Sequence, residues 1–152
     1  IMLGATTPSF DLETEISQTF DTAGLTEEDI LSTALKFVGL QNQVPPVYSA
    51  IRVNGKRAYE MARSKQECIL EPKRVHIKSF EITKIQLPLV DFRVSCSKGT
   101  YIRALARDFG ESLGCGAHLT SLCRESIGNI SLSEALSIQQ FEFLVAQQNP
   151  SV

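Results

Sequence analysis

A chain of 152 residues, 43% hydrophobic and 21% charged, is long enough to bury a core and ordinary enough in composition for a globular domain. No apolar run approaches the roughly 20 residues of a membrane span, and the opening IMLGATTPSFD has neither the basic n-region nor the cleavage site of a signal peptide. The formal net charge of −2 hides a segregation: residues 1–51 balance to −6, residues 52–84 to +5, and the rest is near neutral. A basic segment of that size suits a polyanion or is simply a solvated face, and charge alone leaves both open.

In chain order, Leu25-Thr26-Glu27-Glu28-Asp29-Ile30 is a helix start. Thr26 can cap, Leu25 and Ile30 can staple, and the acids suit the positive end of the dipole. Ile30, Leu31, Ala34, Leu35 and Val38 then make an apolar stripe that Gly39 should end. Pro45-Pro46 forbids helix and makes a rigid extended strut carrying Tyr48 and Ser49. Asn54-Gly55 signals a tight turn crowned by Lys56 and Arg57, and a short helix through Tyr59, Met61 and Ala62 should end near Ser64.

From Pro72 onward the pattern becomes that of strands. Val75/Ile77, Phe80/Ile82 and Ile85/Leu87 alternate with the phase slipping between pairs, which predicts bulges or bends. Leu87-Pro88-Leu89 should turn the chain, and Phe92, Val94 and Cys96 alternate on an antiparallel return strand. After Thr100, Ile102, Leu105, Ala106, Phe109 and Leu113 mark a buried helix face, with Gly110 and Gly114 weakening its last turns. An amphipathic helix around Ser133–Leu144 closes the chain. No repeat or linker is found, so one domain over residues 1–152 is expected. Its fold class is α+β, a mixed, largely antiparallel sheet flanked by helices.

The chemistry concentrates at Ser97-Lys98-Gly99-Thr100-Tyr101-Ile102-Arg103, where strand gives way to helix. Free N–H groups at a helix start, an accessible glycine backbone and Lys98 together attract anions such as phosphate. Tyr101 can stack on a base, and a fixed Arg103 can pair with a carboxylate or phosphate. A capping threonine, a core tyrosine and a surface arginine would give the same pattern without function. The spacing is not that of a P-loop. Asp108-Phe109-Gly110 matches a kinase tripeptide, but its companion motifs are missing and Phe109 reads as core. Cys68, Cys96, Cys115 and Cys123 lack CxxC spacing, and His76 and His118 lie far apart. Neither a metal nor a redox pair is therefore expected, and the thiols fit a reducing cytoplasm.

Three segments in order carry a resemblance. They are Gln43-Val44-Pro45-Pro46-Val47-Tyr48-Ser49-Ala50 with Asn54-Gly55-Lys56-Arg57, Cys96-Ser97-Lys98-Gly99-Thr100-Tyr101-Ile102-Arg103, and Gly114-Cys115-Gly116-Ala117-His118-Leu119. Together they closely resemble the bacterial tRNA pseudouridine synthase B (TruB) family. Leu3-Gly4 with Thr7, Ser9 and Asp11 is similar to that family's LGxxTxTxD segment, and the similarity runs from about Leu3 to Leu136.

The resemblance implies a cytoplasmic, monomeric, cofactor-free enzyme that isomerises a T-loop uridine of tRNA to pseudouridine after flipping the nucleotide out. It implies that Arg103 pairs with the catalytic aspartate, Tyr101 lines the pocket and Leu122 packs beside the base. Lys98, Lys56, Arg57 and Arg124 would meet phosphates, Tyr48 and Ser49 would contact RNA, and residues 52–84 would be a basic insertion gripping the T-arm. The family's Gly-x-Leu-Asp-Pro segment with that aspartate does not occur here. The expectation is a C-terminal part of the catalytic domain, incomplete at its N-terminus and inactive alone. The alternative is a non-catalytic RNA-binding module, and an acyl- or phosphoryl-transfer site lacks a general base.

Overall fold

The computed structural model describes residues 1–53, 55–64, 66 and 68–148, in two compact units, Ile1–Ser121 and Leu122–Val152. In the first unit the elements run β1 (Met2–Leu3), β2 (Ala5–Thr6), β3 (Gln18–Thr19), α1 (Glu27–Lys36) and β4 (Gly39–Gln43). β5 (Arg52–Val53), β6 (Lys56–Arg57), α2 (Ala58–Arg63), β7 (Lys73–Gln86), β8 (Leu89–Cys96), α3 (Ile102–Ser112) and β9 (Ala117–His118) follow. Five strands form one sheet in the order β4-β7-β8-β1-β9, with every described pairing antiparallel. With its helices this is the α+β class expected.

The long β7–β8 hairpin is the spine of the sheet. Its register shifts between Ile77 and Ser79 and again between Ile82 and Lys84, where the hydrophobic phase slips in sequence. One face carries Val75, Ile77, Phe80, Val90 and Leu3, all buried, while Arg74, His76, Glu81 and Ser95 on the other are exposed. Ile30 and Ala34 of α1 and Leu105, Ala106 and Phe109 of α3 close over the apolar face. Phe109 has no exposed surface and meets Phe80 and Phe37 edge-on at ring-centroid distances of 5.3 and 6.2 Å. Burying a side chain of that size contributes on the order of 2–3 kcal/mol.

α1 begins as expected, with a capping box between Thr26 and Asp29, but its buried stripe differs. Ile30, Thr33 and Ala34 are buried and Phe37 packs beside them, while Leu31, Leu35 and Val38 are 46%, 70% and 42% exposed. The 30-33-34-37 set is the one that faces α3 and β7, and a threonine methyl packs there as an apolar residue would. The helix stops at Lys36 with Phe37 as its C-cap, and Gly39 opens β4 instead.

α3 runs through Gly110 because that glycine lies against β9. A Cβ there would come within 2.4 Å of Ala117 Cβ, Ala117 N and the Gly116 carbonyl carbon. The helix therefore sits closer to the strand than any other residue would permit.

The basic stretch 52–84 is divided. Arg52–Val53 and Lys56–Arg57 pair as a hairpin leading into α2, whereas residues 73–84 are part of β7. Asn54, half of the expected turn, lies outside the described residues. In the second unit, β10 (Ser126–Ile127) pairs with β11 (Ile130–Ser131), followed by a 3₁₀ turn at Leu132–Glu134 and α4 (Ile138–Gln148). The last helix starts later than Ser133 because Ser137 and Gln140 form its capping box, Gln140 N–H donating to Ser137 Oγ and Ser137 N–H to Gln140 Oε1.

Candidate functional site

The strand-to-helix corner is pinned at three points. Ser97 stays on the sheet, its N–H donating to the His76 carbonyl and its Oγ accepting from the His76 N–H. The Thr100 hydroxyl donates to the Ser97 carbonyl at 2.8 Å, closing a turn whose tip is exposed Lys98 and Gly99 at φ +85°. A side chain at position 99 would strain that left-handed backbone. Thr100 is spent on the turn, so the N-cap of α3 is Tyr101, which makes no side-chain cap bond. Its peptide groups are held by Gln43 of β4: Oε1 accepts from Tyr101 N–H at 2.8 Å and Nε2 donates to the Tyr101 carbonyl at 3.1 Å.

Arg103, in the first turn of α3, gathers two distant segments. Nη1 donates to the Ser9 carbonyl at 3.2 Å and to Asp11 Oδ2 at 3.1 Å, and Nη2 donates to the Tyr48 carbonyl at 2.8 Å. The side chains of Arg103 and Asp11 stay 23% and 27% exposed. Burial works to raise the Asp11 carboxyl. The Ser9 hydroxyl, the Glu13 N–H and the Arg103 guanidinium outweigh it and hold its pKa below the ordinary aspartate value. An arginine carries five N–H donors. The Nε–H and one Nη2–H of Arg103 have no partner among the described residues, so the guanidinium can still donate to a further carboxylate.

The loop that supplies Asp11 is built for that position. The Thr7 hydroxyl donates to the Asp11 carbonyl at 2.7 Å, Ser9 N–H donates to Thr14 Oγ1, and Thr7 and Ser9 are buried. Phe10, between Ser9 and Asp11, has φ +63°, an unusual backbone for a residue with a side chain. Arg107, one turn beyond Arg103, lies 4.8 Å over the Phe10 ring and donates to the Val44 carbonyl and to Asp108. Burial raises the Asp108 pKa, with Arg107 acting against it.

Of the residues singled out in sequence, the structure joins Arg103 to the backbone carbonyl of Tyr48, with Tyr101 two positions before Arg103 at the N-cap of α3. Ser49, beside Tyr48, is 6% exposed, and its hydroxyl has no hydrogen-bond partner among the described residues. Its side chain is therefore turned into the protein rather than to solvent. Lys56 and Arg57 are exposed on the β5–β6 hairpin, and the guanidinium groups of Arg57 and Arg63 lie 5.8 and 5.6 Å over the Tyr59 ring. Leu122 and Arg124 belong to the second unit and are exposed.

Asp11, Gln43 and Arg107 were not singled out as site residues. Asp11 had a signal in the Thr7/Ser9/Asp11 spacing. The contacts of Gln43 and Arg107 span 58 and 63 positions and have none. Among the described residues no group of three or more His, Cys, Asp or Glu could hold a metal, and no helix is long and apolar enough to cross a membrane.

The family model described as TruB family pseudouridylate synthase (N terminal domain) matches residues 1–102. The chain belongs to the TruB pseudouridylate synthase family. The protein named tRNA pseudouridine synthase B of Bacteroides fragilis is 48% identical over 152 residues, covering 100% of this chain and 65% of its own length. Its namesake in Phocaeicola vulgatus is 48% identical over 148 residues, covering 97% and 63%. In Flavobacterium johnsoniae the identity is 51% over 140 residues, covering 92% and 61%. The chain thus spans less than two thirds of the length of these relatives. A solved structure titled "Crystal Structure of a Cbf5-Nop10-Gar1 Complex" is similar over 63% of this chain and 24% of that chain, at 30% identity and a TM-score of 0.48.

Proposed function

We propose that this chain is the part of a tRNA pseudouridine synthase that orients the reacting aspartate and the target uridine. Its relatives are named for that activity. The observation that carries the reading is the Arg103 guanidinium. It is held on one side by the Ser9 carbonyl, Asp11 and the Tyr48 carbonyl, and keeps two N–H donors unspent.

Such a guanidinium is fixed before substrate arrives, so little ordering is lost when a second carboxylate docks on it. That carboxylate comes from an aspartate in a Gly-x-Leu-Asp-Pro context, which these 152 residues do not contain, and the piece alone therefore has no turnover. An opposite charge at hydrogen-bond range keeps the incoming aspartate ionised and aimed, ready to attack the sugar carbon or take a proton from the sugar. The substrate uridine of the T-loop is turned out of its stack. The N1–C1′ bond breaks, the base rotates, and C5 bonds to C1′; the proton lost from C5 balances the one gained at N1.

Tyr101 lines the base pocket. Lys98, Lys56, Arg57 and Arg124 meet tRNA phosphates, which gives the basic 52–84 balance a use. Tyr48 and Ser49 act through the strut that carries them. A tRNA substrate puts the work in the cytoplasm, where four unpaired cysteines are at ease.

The test is to incubate the full gene product with an unmodified tRNA transcript and map pseudouridine in the T-loop. Stoichiometric conversion at one T-loop uridine is expected. Tight, salt-sensitive tRNA binding with no conversion would overturn the enzymatic reading and favour a non-catalytic RNA-binding module.

A further inference from the structure

The geometry points to Gln43 as a positioning residue that sets the aim of Arg103. The inference rests on the pseudouridine synthase reading above for its activity test, though not for its structural one. Gln43 is 4% exposed at the end of edge strand β4, where a polar side chain is tolerated only if both amide atoms are satisfied. Both are satisfied by one residue, Tyr101, whose N–H and carbonyl are taken in a closed two-bond ring. The side chain thus acts as a strand partner of one residue's length, 58 positions away in sequence.

The place of that ring matters. Tyr101 is the N-cap of α3, and Arg103 follows two residues later, so any slip at Tyr101 rotates the first turn of the helix. The carbonyl of Tyr101 also accepts the first helical bond, from Leu105 N–H at 3.0 Å. Gln43 therefore fixes where the helix starts as well as how it is turned. On the other side of the turn Ser97 is tied to β7. The corner is suspended between two strands, and Gln43 is the tie on the helical side. A displacement of about 1 Å in a catalytic group can cost on the order of 100-fold in rate.

Charged groups near this ring are few. Asp108 of α3 lines the same small cleft as Gln43, with Phe37, Asn42 and Leu105, and is paired with Arg107. Lys73 stands opposite Gln43 on β7 and is exposed.

Two substitutions in the full gene product test the assignment. Gln43→Met keeps length and volume but removes both bonds. Gln43→Glu keeps them only when protonated, because a carboxylic acid donates one hydrogen bond and accepts another as an amide does. With the folded fraction checked by circular dichroism, Gln43→Met should lower kcat on the order of 10- to 100-fold and change the KM for tRNA less than about threefold. Gln43→Glu should be impaired at neutral pH and regain rate, relative to the unsubstituted protein, as pH falls. The Tyr101 amide should exchange with solvent at least about tenfold faster in Gln43→Met.

Unchanged kcat with unchanged exchange in Gln43→Met overturns the inference. If Gln43→Met does not fold, a Gln43→Glu rate ratio that stays flat across pH overturns it. If the unsubstituted protein makes no pseudouridine, the functional reading fails by itself, and Tyr101 exchange still decides: unaltered protection means that Gln43 holds nothing.

Discussion

Replacing Gly110 with alanine sets two effects against each other. Alanine in a helix interior is favoured over glycine by about 1 kcal/mol. Against that, the added methyl would sit 2.4 Å from the Cβ and N of Ala117 and from the Gly116 carbonyl carbon, where ordinary contacts are about 3.5–4.0 Å. Two of those three atoms are backbone, and Ala117 is 1% exposed, so α3 and β9 must part by about 1 Å. Overpacking of this kind costs about 1–3 kcal/mol, and a backbone obstacle puts it at the upper end. The net expectation is a loss of about 2 kcal/mol. With a urea slope of about 2 kcal/mol/M, the unfolding midpoint falls by about 1 M. Gly24, where a Cβ meets nothing within 4 Å, is the control and should tolerate alanine with little change. A Gly110→Ala protein as stable as the original would refute the close helix–strand seat that fixes α3, and with it the placing of Arg103.

Asp11→Asn should lower stability at neutral pH. Because the folded Asp11 carboxyl titrates below its ordinary value, its contribution is complete above about pH 4 and fades as pH falls through the folded value. The urea midpoints of Asp11→Asn and the original should therefore converge as pH falls below the ordinary aspartate range, and parallel curves would refute the pairing. Thr26→Ala removes an exposed helix cap and should cost about 1 kcal/mol, read as a lower urea midpoint; no shift would mean that the capping box contributes nothing. Lys56→Ala and Arg57→Ala should each weaken tRNA binding and flatten the dependence of log affinity on log salt by about one unit, measured by filter binding. An unchanged slope would show that the hairpin does not touch phosphate.

Much of the framework was legible because it is local. The phase slips at Ile77/Ser79 and Ile82/Lys84 are visible as breaks in alternation, and the buried face of α3 follows from its spacing. The stripe on α1 was misread because Thr33, counted as polar, is buried while Leu35 is exposed; which helix face turns inward is decided by α3 and β7, not by the helix alone.

The corner at Lys98–Arg103 announced itself by composition, but its mechanics did not. Sequence reading expected Arg103 to await an aspartate from elsewhere; the structure shows it already paired with Asp11, with two donors to spare. The Gln43 clasp, the Arg107–Phe10 stack and the positive φ of Phe10 join segments tens of residues apart, and no periodicity encodes such contacts.

The account stands on the planar fork of Arg103, and Arg103→Lys isolates it by keeping the charge while removing the bidentate geometry. Measured as single-turnover pseudouridine formation with tRNA saturating, the full gene product carrying Arg103→Lys should react on the order of 100-fold more slowly or worse, with tRNA affinity held. A rate equal to that of the unsubstituted protein would contradict the account.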